Sequence, residues 1–244
     1  MKTLPEQSAL SGEQLEAFYH DEFVQDQLRD FEQLLGAQAA SGTVKDIGGG
    51  CGFFARQLAA RTGRTVKVID ADPTSIDTCR AAGIDAEVGD ALQPRIEGNE
   101  DVVCFNLILH HLVGGSERQT RDLQQRALAA WRSQAGALFV NEYIYESYLP
   151  GWSGRLIFEV TKSRILSGLA RMVAVLVPSL QANTFGVGVR FRDHREWLRL
   201  FAAAGYETES VTTGPDEPVS LPRRLLFIKR IRRDSFLLRP RPAG

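Results

Sequence analysis

Apolar residues in the first forty positions recur at helical spacing. Leu15, Phe18, Tyr19 and Phe23 are followed by Val24, Leu28, Phe31 and Leu35, with acids on the opposite side. A stripe of that period predicts a helical leader over residues 1–40 that packs one face on a larger body. The period then changes. Thr43 to Ile47 predicts a strand that runs into glycines 48, 49, 50 and 52, and Phe53, Phe54, Gln57 and Leu58 open a helix. Thr65 to Asp70 predicts a second strand, followed by a helix with Asp72 as N-cap, Pro73 at its first position and Gly83 past its end. Ile84 to Val88 and Asp101 to Asn106 read as the third and fourth strands, the latter a nearly unbroken apolar run of the kind buried on both faces of a parallel sheet. Ser116 and Gln119 form a capping box for a helix with Leu123, Ala127, Ala130 and Trp131 on its apolar face, and Ala137 to Tyr143 predicts a fifth strand.

A predominantly apolar, helix-forming stretch at about residues 149–184 interrupts this alternation. It predicts an inserted cap with Phe158, Ile165, Leu169, Met172 and Leu176 inward and Arg155, Glu159, Lys162, Arg164 and Arg171 in solvent. Such a cap serves either as a lid over a hydrophobic substrate, the preferred reading, or as a dimer interface. Regular order returns with a capping box at Asp193 and Glu196, an apolar face of Trp197, Leu200, Phe201 and Ala204, and a stop at Gly205. Tyr206 to Thr213 and Leu225 to Ile231 predict two more strands. The expected organisation is a leader (1–40), an α/β domain with a cap insertion (41–231) and a basic tail (232–244). The fold class is α/β, a doubly wound, seven-stranded, mostly parallel sheet, whose ligand site lies beyond the carboxyl ends of the strands at the switch point.

Composition adds exclusions. With 244 residues, 43% hydrophobic, 24% charged and a formal charge of −1, the chain matches soluble globular proteins and lacks the basicity of a nucleic-acid binder. Residues 221–244 hold eight bases against Asp234 alone, which reads as a solvated end. Cys51, Cys79 and Cys104 are odd in number and make no CxxC pair, so neither a disulfide framework nor a metal site is expected, and a cytoplasmic setting fits. The most apolar stretch, Ile165 to Val177, is broken by Arg171 and too short to span a bilayer, so no membrane partner is expected.

The chemistry-bearing signal is Val44-Lys45-Asp46-Ile47-Gly48-Gly49-Gly50-Cys51-Gly52, where an acid near a strand end precedes glycines that let the backbone approach a bound nucleoside. Gly50 to Ala55 also satisfies the GxGxxA dinucleotide fingerprint, so an NAD(P)-dependent oxidoreductase stays open at this point. Three features at strand ends go further. Asp70 can accept from both hydroxyls of a ribose, Gly89-Asp90-Ala91 offers a carboxylate to the exocyclic amine of adenine, and Asn106 closes the fourth strand beside the glycines.

Together with Val68-Ile69-Asp70-Ala71-Asp72-Pro73, these motifs resemble the class I S-adenosylmethionine-dependent methyltransferases, strongly over residues 40–143 and loosely over 185–231. The resemblance implies a Rossmann-like fold with S-adenosyl-L-methionine as cofactor. It implies that Gly48, Gly49 and Gly50 pass under the methionyl part, that Asp46 organises that loop and the amine, and that Asp70 and Ala71 hold the ribose. Asp90 and Ala91 would bind adenine and Asn106 would line the wall near the sulfonium. A non-catalytic cofactor-binding module remains the non-enzyme alternative.

The Asn/Asp-Pro-Pro-Tyr/Phe run of base-amine methyltransferases is replaced here by Asn106-Leu107-Ile108-Leu109, which favours a small-molecule acceptor, methylated on oxygen or nitrogen, in secondary metabolism. His110 is the leading general base by its place after the fourth strand and its near-neutral pKa, with His111 second; a structural histidine bonded to backbone carbonyls is the competing reading. Tyr143 and Tyr145 share one face of a strand end, and Tyr19 would join them from the leader, where aromatic rings attract a sulfonium or simply pack. Asn141 and Glu142 add a polar pair that orients a substrate. The runner-up chemistry cyclises the cofactor's aminobutyryl arm to azetidine-2-carboxylate, releasing 5′-methylthioadenosine instead of S-adenosylhomocysteine. The expected assembly is a monomer or homodimer.

Overall fold

The computed structural model describes residues 23–36, 42–94, 100–177 and 185–242. Its first helix, α1 (Val24–Leu35), buries Val24, Leu28, Phe31 and Leu35 as the stripe predicts; Leu15, Phe18 and Tyr19 lie outside the described residues. The alternating unit follows as β1 (Thr43–Ile47), α2 (Phe53–Thr62), β2 (Thr65–Asp70), α3 (Pro73–Ala81), β3 (Asp85–Val88) and β4 (Glu100–Asn106). A 3₁₀ turn at Leu109–His111 leads to α4 (Glu117–Ala130) and β5 (Ala135–Ser147). The cap region holds α5 (Trp152–Lys162) and α6 (Arg164–Leu176), and the chain ends with α7 (His194–Ala203), β6 (Tyr206–Thr213), α8 (Leu221–Leu225) and β7 (Ile228–Pro240).

The seven strands form one sheet in the order β3-β2-β1-β4-β5-β7-β6. Pairing is parallel from β3 through β5, and β7 runs antiparallel to both of its neighbours. This is the doubly wound, Rossmann-like α/β fold. The order reverses between β1 and β4, so their carboxyl ends open the crevice where such sheets take ligands. One core packs α4 and α7 on one face through Trp131, Trp197 and Phe201; the other packs α1, α2 and α3 through Phe31, Phe54 and Ile76.

Three expectations are corrected. β5 runs on to Ser147 instead of stopping at Tyr143, so it projects past Asn106, the last residue of β4, with which Asn141 is in register. The last strand starts at Ile228 and not at Leu225, and it does not stop at Ile231. Leu221–Leu225 is a short helix, and β7 continues to Pro240 through the stretch expected to be a solvated tail. Phe236, Leu237 and Leu238 are core residues there, and the polar Asp234 and Ser235 are fully buried. Arginines hid the strand because their charges are paired within the sheet: Arg232 meets Asp234 at 2.8 Å and Glu146 at 2.6 Å.

In the cap, Phe158 is buried as expected. Ile165, Leu169, Met172 and Leu176, expected inward, are 77%, 57%, 70% and 84% exposed. The buried side of α6 is its small-residue side, Ser167 and Ala174. Ser167 Oγ donates to the Val160 carbonyl at 2.9 Å and accepts from the Gly186 N–H at 2.9 Å, so polar bonds fix the helix's roll. Arg171, expected in solvent, does stay exposed, with Nη2 donating to the Phe185 carbonyl at 2.7 Å.

Candidate functional site

The turn after β1 can be built only from small residues. Gly48 has φ +68°, and a Cβ there would lie 2.6 Å from Ile108; one on Gly49 would lie 2.5 Å from Asp46 Oδ2. The backbone therefore sits directly on the carboxylate of Asp46. That carboxylate is fully buried. Oδ1 accepts from Asn106 Nδ2 at 3.1 Å, whereas Asp46 Oδ2 and Asn106 Oδ1 have no hydrogen-bond partner. Burial pushes the Asp46 pKa up to about 7, the Asn106 bond opposes this and neighbouring Asp70 adds to it. Two enclosed acceptors without donors, beside glycines, form a cradle that suits a cationic ligand group.

Asp70 ties two turns together. Its Oδ2 accepts from the Gly50 N–H at 2.9 Å and its Oδ1 from the Asp72 N–H at 2.8 Å. Desolvation raises its pKa while these backbone donors hold it down. Both oxygens retain lone pairs for further donors. Asp72 caps α3 as expected, accepting from Ser75 N–H at 2.8 Å, and Ala71 between these acids is exposed. Asp90, half-buried, accepts from the Leu92 N–H at 2.9 Å, and the Ala91 carbonyl accepts from Trp131 Nε1 at 3.1 Å, which anchors this loop to the end of α4.

Beyond β4 the chain turns through Leu107 at φ +55°, a left-handed conformation that costs a non-glycine residue ~1–2 kcal/mol. The turn is pinned by the Leu107 N–H to the Asn141 carbonyl at 2.8 Å and delivers His110 to β5. His110 Nδ1 lies 2.7 Å from Glu142 Oε2, and Glu142 Oε1 accepts from the Leu109 N–H at 2.7 Å. A carboxylate held by a backbone donor only accepts, so Nδ1 carries the proton and Nε2 is left as the basic nitrogen. The His110 carbonyl accepts from the Arg190 N–H at 2.9 Å, so ring and backbone are both fixed. The histidine is thus bonded through its ring to a carboxylate, not to backbone carbonyls.

His111 stacks obliquely on His110, centroids 4.2 Å apart, and its enclosure and that neighbour hold its pKa well below the usual histidine range. Tyr143 and Tyr145 do share a face, with centroids 6.3 Å apart; Tyr143 meets His110 edge-on at 5.8 Å and Tyr145 stacks on Phe191 at 4.2 Å. Burial pushes the Tyr145 phenol pKa upward. Asn141 is not brought to this cluster: it accepts from Gln27 at 3.2 Å and donates to Ser235 at 2.8 Å, tying α1 to β7. Tyr19 lies outside the described residues.

Sequence reasoning missed Phe191, which covers His110 at 5.0 Å, and Arg233, whose Cζ stands 3.7 Å over the Phe23 ring. Nothing in the Arg190-Phe191-Arg192 run marks its central ring. Arg233 was concealed in the supposed tail.

Residues 45–132 match the family described as a methyltransferase domain. Trans-aconitate 2-methyltransferase of Mycobacterium tuberculosis is 32% identical over 89 residues, 36% of this chain and 34% of that protein. The match thus spans about a third of the length of the curated relatives. Among solved structures, MccD protein is similar with a TM-score of 0.62 at 12% identity, over 90% of this chain and 97% of that one. Phosphoethanolamine N-methyltransferase 2 of Haemonchus contortus, solved with phosphomonomethylethanolamine and S-adenosylhomocysteine, gives 0.57 at 11% identity, over 89% and 52%. At these identities the structural likeness establishes the fold.

Proposed function

We propose that this chain, whose residues 45–132 match a methyltransferase domain, is a class I S-adenosylmethionine-dependent methyltransferase that transfers the cofactor's methyl group to an oxygen or nitrogen of a small molecule. The residues present fit the cofactor. Asp46 Oδ2 and Asn106 Oδ1, buried without partners, offer acceptors to the methionyl ammonium, beside a turn where Gly49 admits no Cβ. By family resemblance Gly48 and Gly50 complete that seat, Asp70 with Ala71 takes the ribose, and Asp90 with Ala91 takes the adenine. When bound, S-adenosylmethionine supplies an electrophilic methyl carbon on its sulfonium.

The chain's own contribution is proton transfer and enclosure. Nε2 of His110 removes the acceptor's proton, and Glu142 holds the tautomer and stabilises the imidazolium. His111, held neutral, adds no charge beside it. Tyr143 and Phe191 flank the His110 ring and keep water from it. The observation that carries this reading is the pair of unpartnered buried oxygens at the end of β1 and β4. Two of the proteins named above, trans-aconitate 2-methyltransferase and phosphoethanolamine N-methyltransferase 2, are named for small-molecule acceptors, which supports a small molecule over a nucleic acid. Among the described residues no helix is long and apolar enough to cross a membrane.

The test is incubation with S-adenosylmethionine, first alone and then with a panel of small phenols and amines, read by mass spectrometry. Alone, no 5′-methylthioadenosine above control is expected; with a productive acceptor, S-adenosylhomocysteine rises with a methylated product. Accumulation of 5′-methylthioadenosine without any acceptor would contradict methyl transfer and indicate self-cyclisation.

A further inference from the structure

We propose that Arg233 is the acceptor-recognition residue of this site and that the acceptor carries a carboxylate. The inference rests on the methyl-transfer reading above and adds a substrate class to it.

The β5–β7 register sets Arg233 directly opposite Tyr143. Residues directly opposite across antiparallel strands share a face, so Arg233 belongs to the wall that carries Tyr143 and Tyr145 beyond the end of β4. Its guanidinium is enclosed, with the side chain 13% exposed, and stacks over Phe23 at 3.7 Å and toward Tyr143 at 6.0 Å. Within that enclosure Nη1 is buried and has no hydrogen-bond partner.

Its acids are distant. Asp26, at 3.6 Å, is shared with Arg29 at 2.9 Å, and Glu217 is 3.9 Å away. Neighbouring Arg232 shows how this strand treats an arginine with a structural role: two carboxylates at 2.6 and 2.8 Å. Both acids stand at ion-pair but not hydrogen-bond distance, so the buried Nη1 keeps its donors free for an anion, and the planar fork matches a carboxylate in bidentate fashion.

The anion is not the cofactor's own. β7 stands three strands from β1, so at ~4.8 Å per strand their backbones are ~14 Å apart across the sheet, and Arg233, opposite Tyr143, also lies further along the sheet than Asp46. It lies instead on the acceptor side, where the Tyr143 ring is 5.8 Å from the His110 ring and 6.0 Å from the guanidinium. A small molecule with a carboxylate at one end and a hydroxyl or amine about one ring away at the other would reach both.

The experiment is calorimetric titration of protein saturated with S-adenosylhomocysteine, using 4-hydroxybenzoate and its neutral amide as probes. The carboxylate is expected to bind at least about tenfold more tightly than the amide. Arg233→Met should erase that preference, Arg233→Lys should keep part of it, and both should leave S-adenosylhomocysteine affinity within about twofold. Equal affinity of the wild-type protein for the two probes, no carboxylate binding at all, or a preference that survives in Arg233→Met would each overturn the inference. The wild-type comparison needs no folded variant. Failure of the wild-type protein to bind S-adenosylhomocysteine would overturn both this inference and the reading beneath it, and is seen in the first titration.

Discussion

At the β1–β4 half of the sheet, Asp46 is fully buried with one oxygen unpaired; at the β5–β7 half, Glu142 and Asp234 are equally buried and every oxygen is paired. Glu142 serves the Leu109 N–H and His110. Directly across the register Asp234 serves His194 at 2.7 Å and Arg232 at 2.8 Å. Burial lifts the Asp46 carboxyl toward neutrality. An unpaired acid at a strand end keeps an acceptor open, which the proposed function gives to a ligand cation. A paired acid fixes its partners, here His110 at one position and His194 with Arg232 at the other.

The sharpest way to break this contrast is at Glu142. Glu142→Gln should lower turnover ~10²–10⁴-fold with cofactor affinity nearly unchanged, because the amide no longer enforces a proton on His110 Nδ1. Equal losses in turnover and cofactor binding would make the pair merely structural.

Next in size is the cap. Phe158→Ala, at a fully buried site, should cost ~3–5 kcal/mol in chemical denaturation, whereas Leu169→Ala on the exposed face should stay within ~0.5 kcal/mol. Comparable losses at both positions would mean that the apolar face of α6 is covered in solution.

At the cofactor half, Asp70→Ala should weaken S-adenosylhomocysteine binding by ~1.5–3 kcal/mol, the range of hydrogen bonds to a charged group. Unchanged affinity by calorimetry would remove Asp70 from the ribose role.

The difference between the halves also decides how much was readable beforehand. The glycine turn, the Asp72 cap and the capping box at Asp193 and Glu196 are legible because backbone geometry and its remedy lie within a few residues. The β5–β7 half is held by partners far apart in the chain: His110 with Glu142, Arg232 with Glu146, Asn141 with Ser235. No local pattern records such pairs. Arg232, Arg233 and Arg239 therefore read as a solvated tail when they line a strand. The roll of α6 is hidden from the sequence for a related reason. The apolar stripe identified a helix but not its attachment, which Ser167 makes through hydrogen bonds.

Asp46 gives the contrast a pH signature. Its pKa is raised from 3.8 to about 7, so between those values the folded protein holds more protons than the unfolded chain, and stability falls as pH rises through that window. An ammonium bound at Asp46 would favour the ionised form and release that proton. Calorimetric titration with S-adenosylhomocysteine from pH 5.5 to 8, on the wild type and Asp46→Asn, tests this most directly. The account predicts wild-type affinity that is level above about pH 7 and falls below it toward tenfold per unit, with weaker, pH-independent binding in the variant. Identical pH profiles in the two proteins, or binding of NAD in place of S-adenosylhomocysteine, would contradict it.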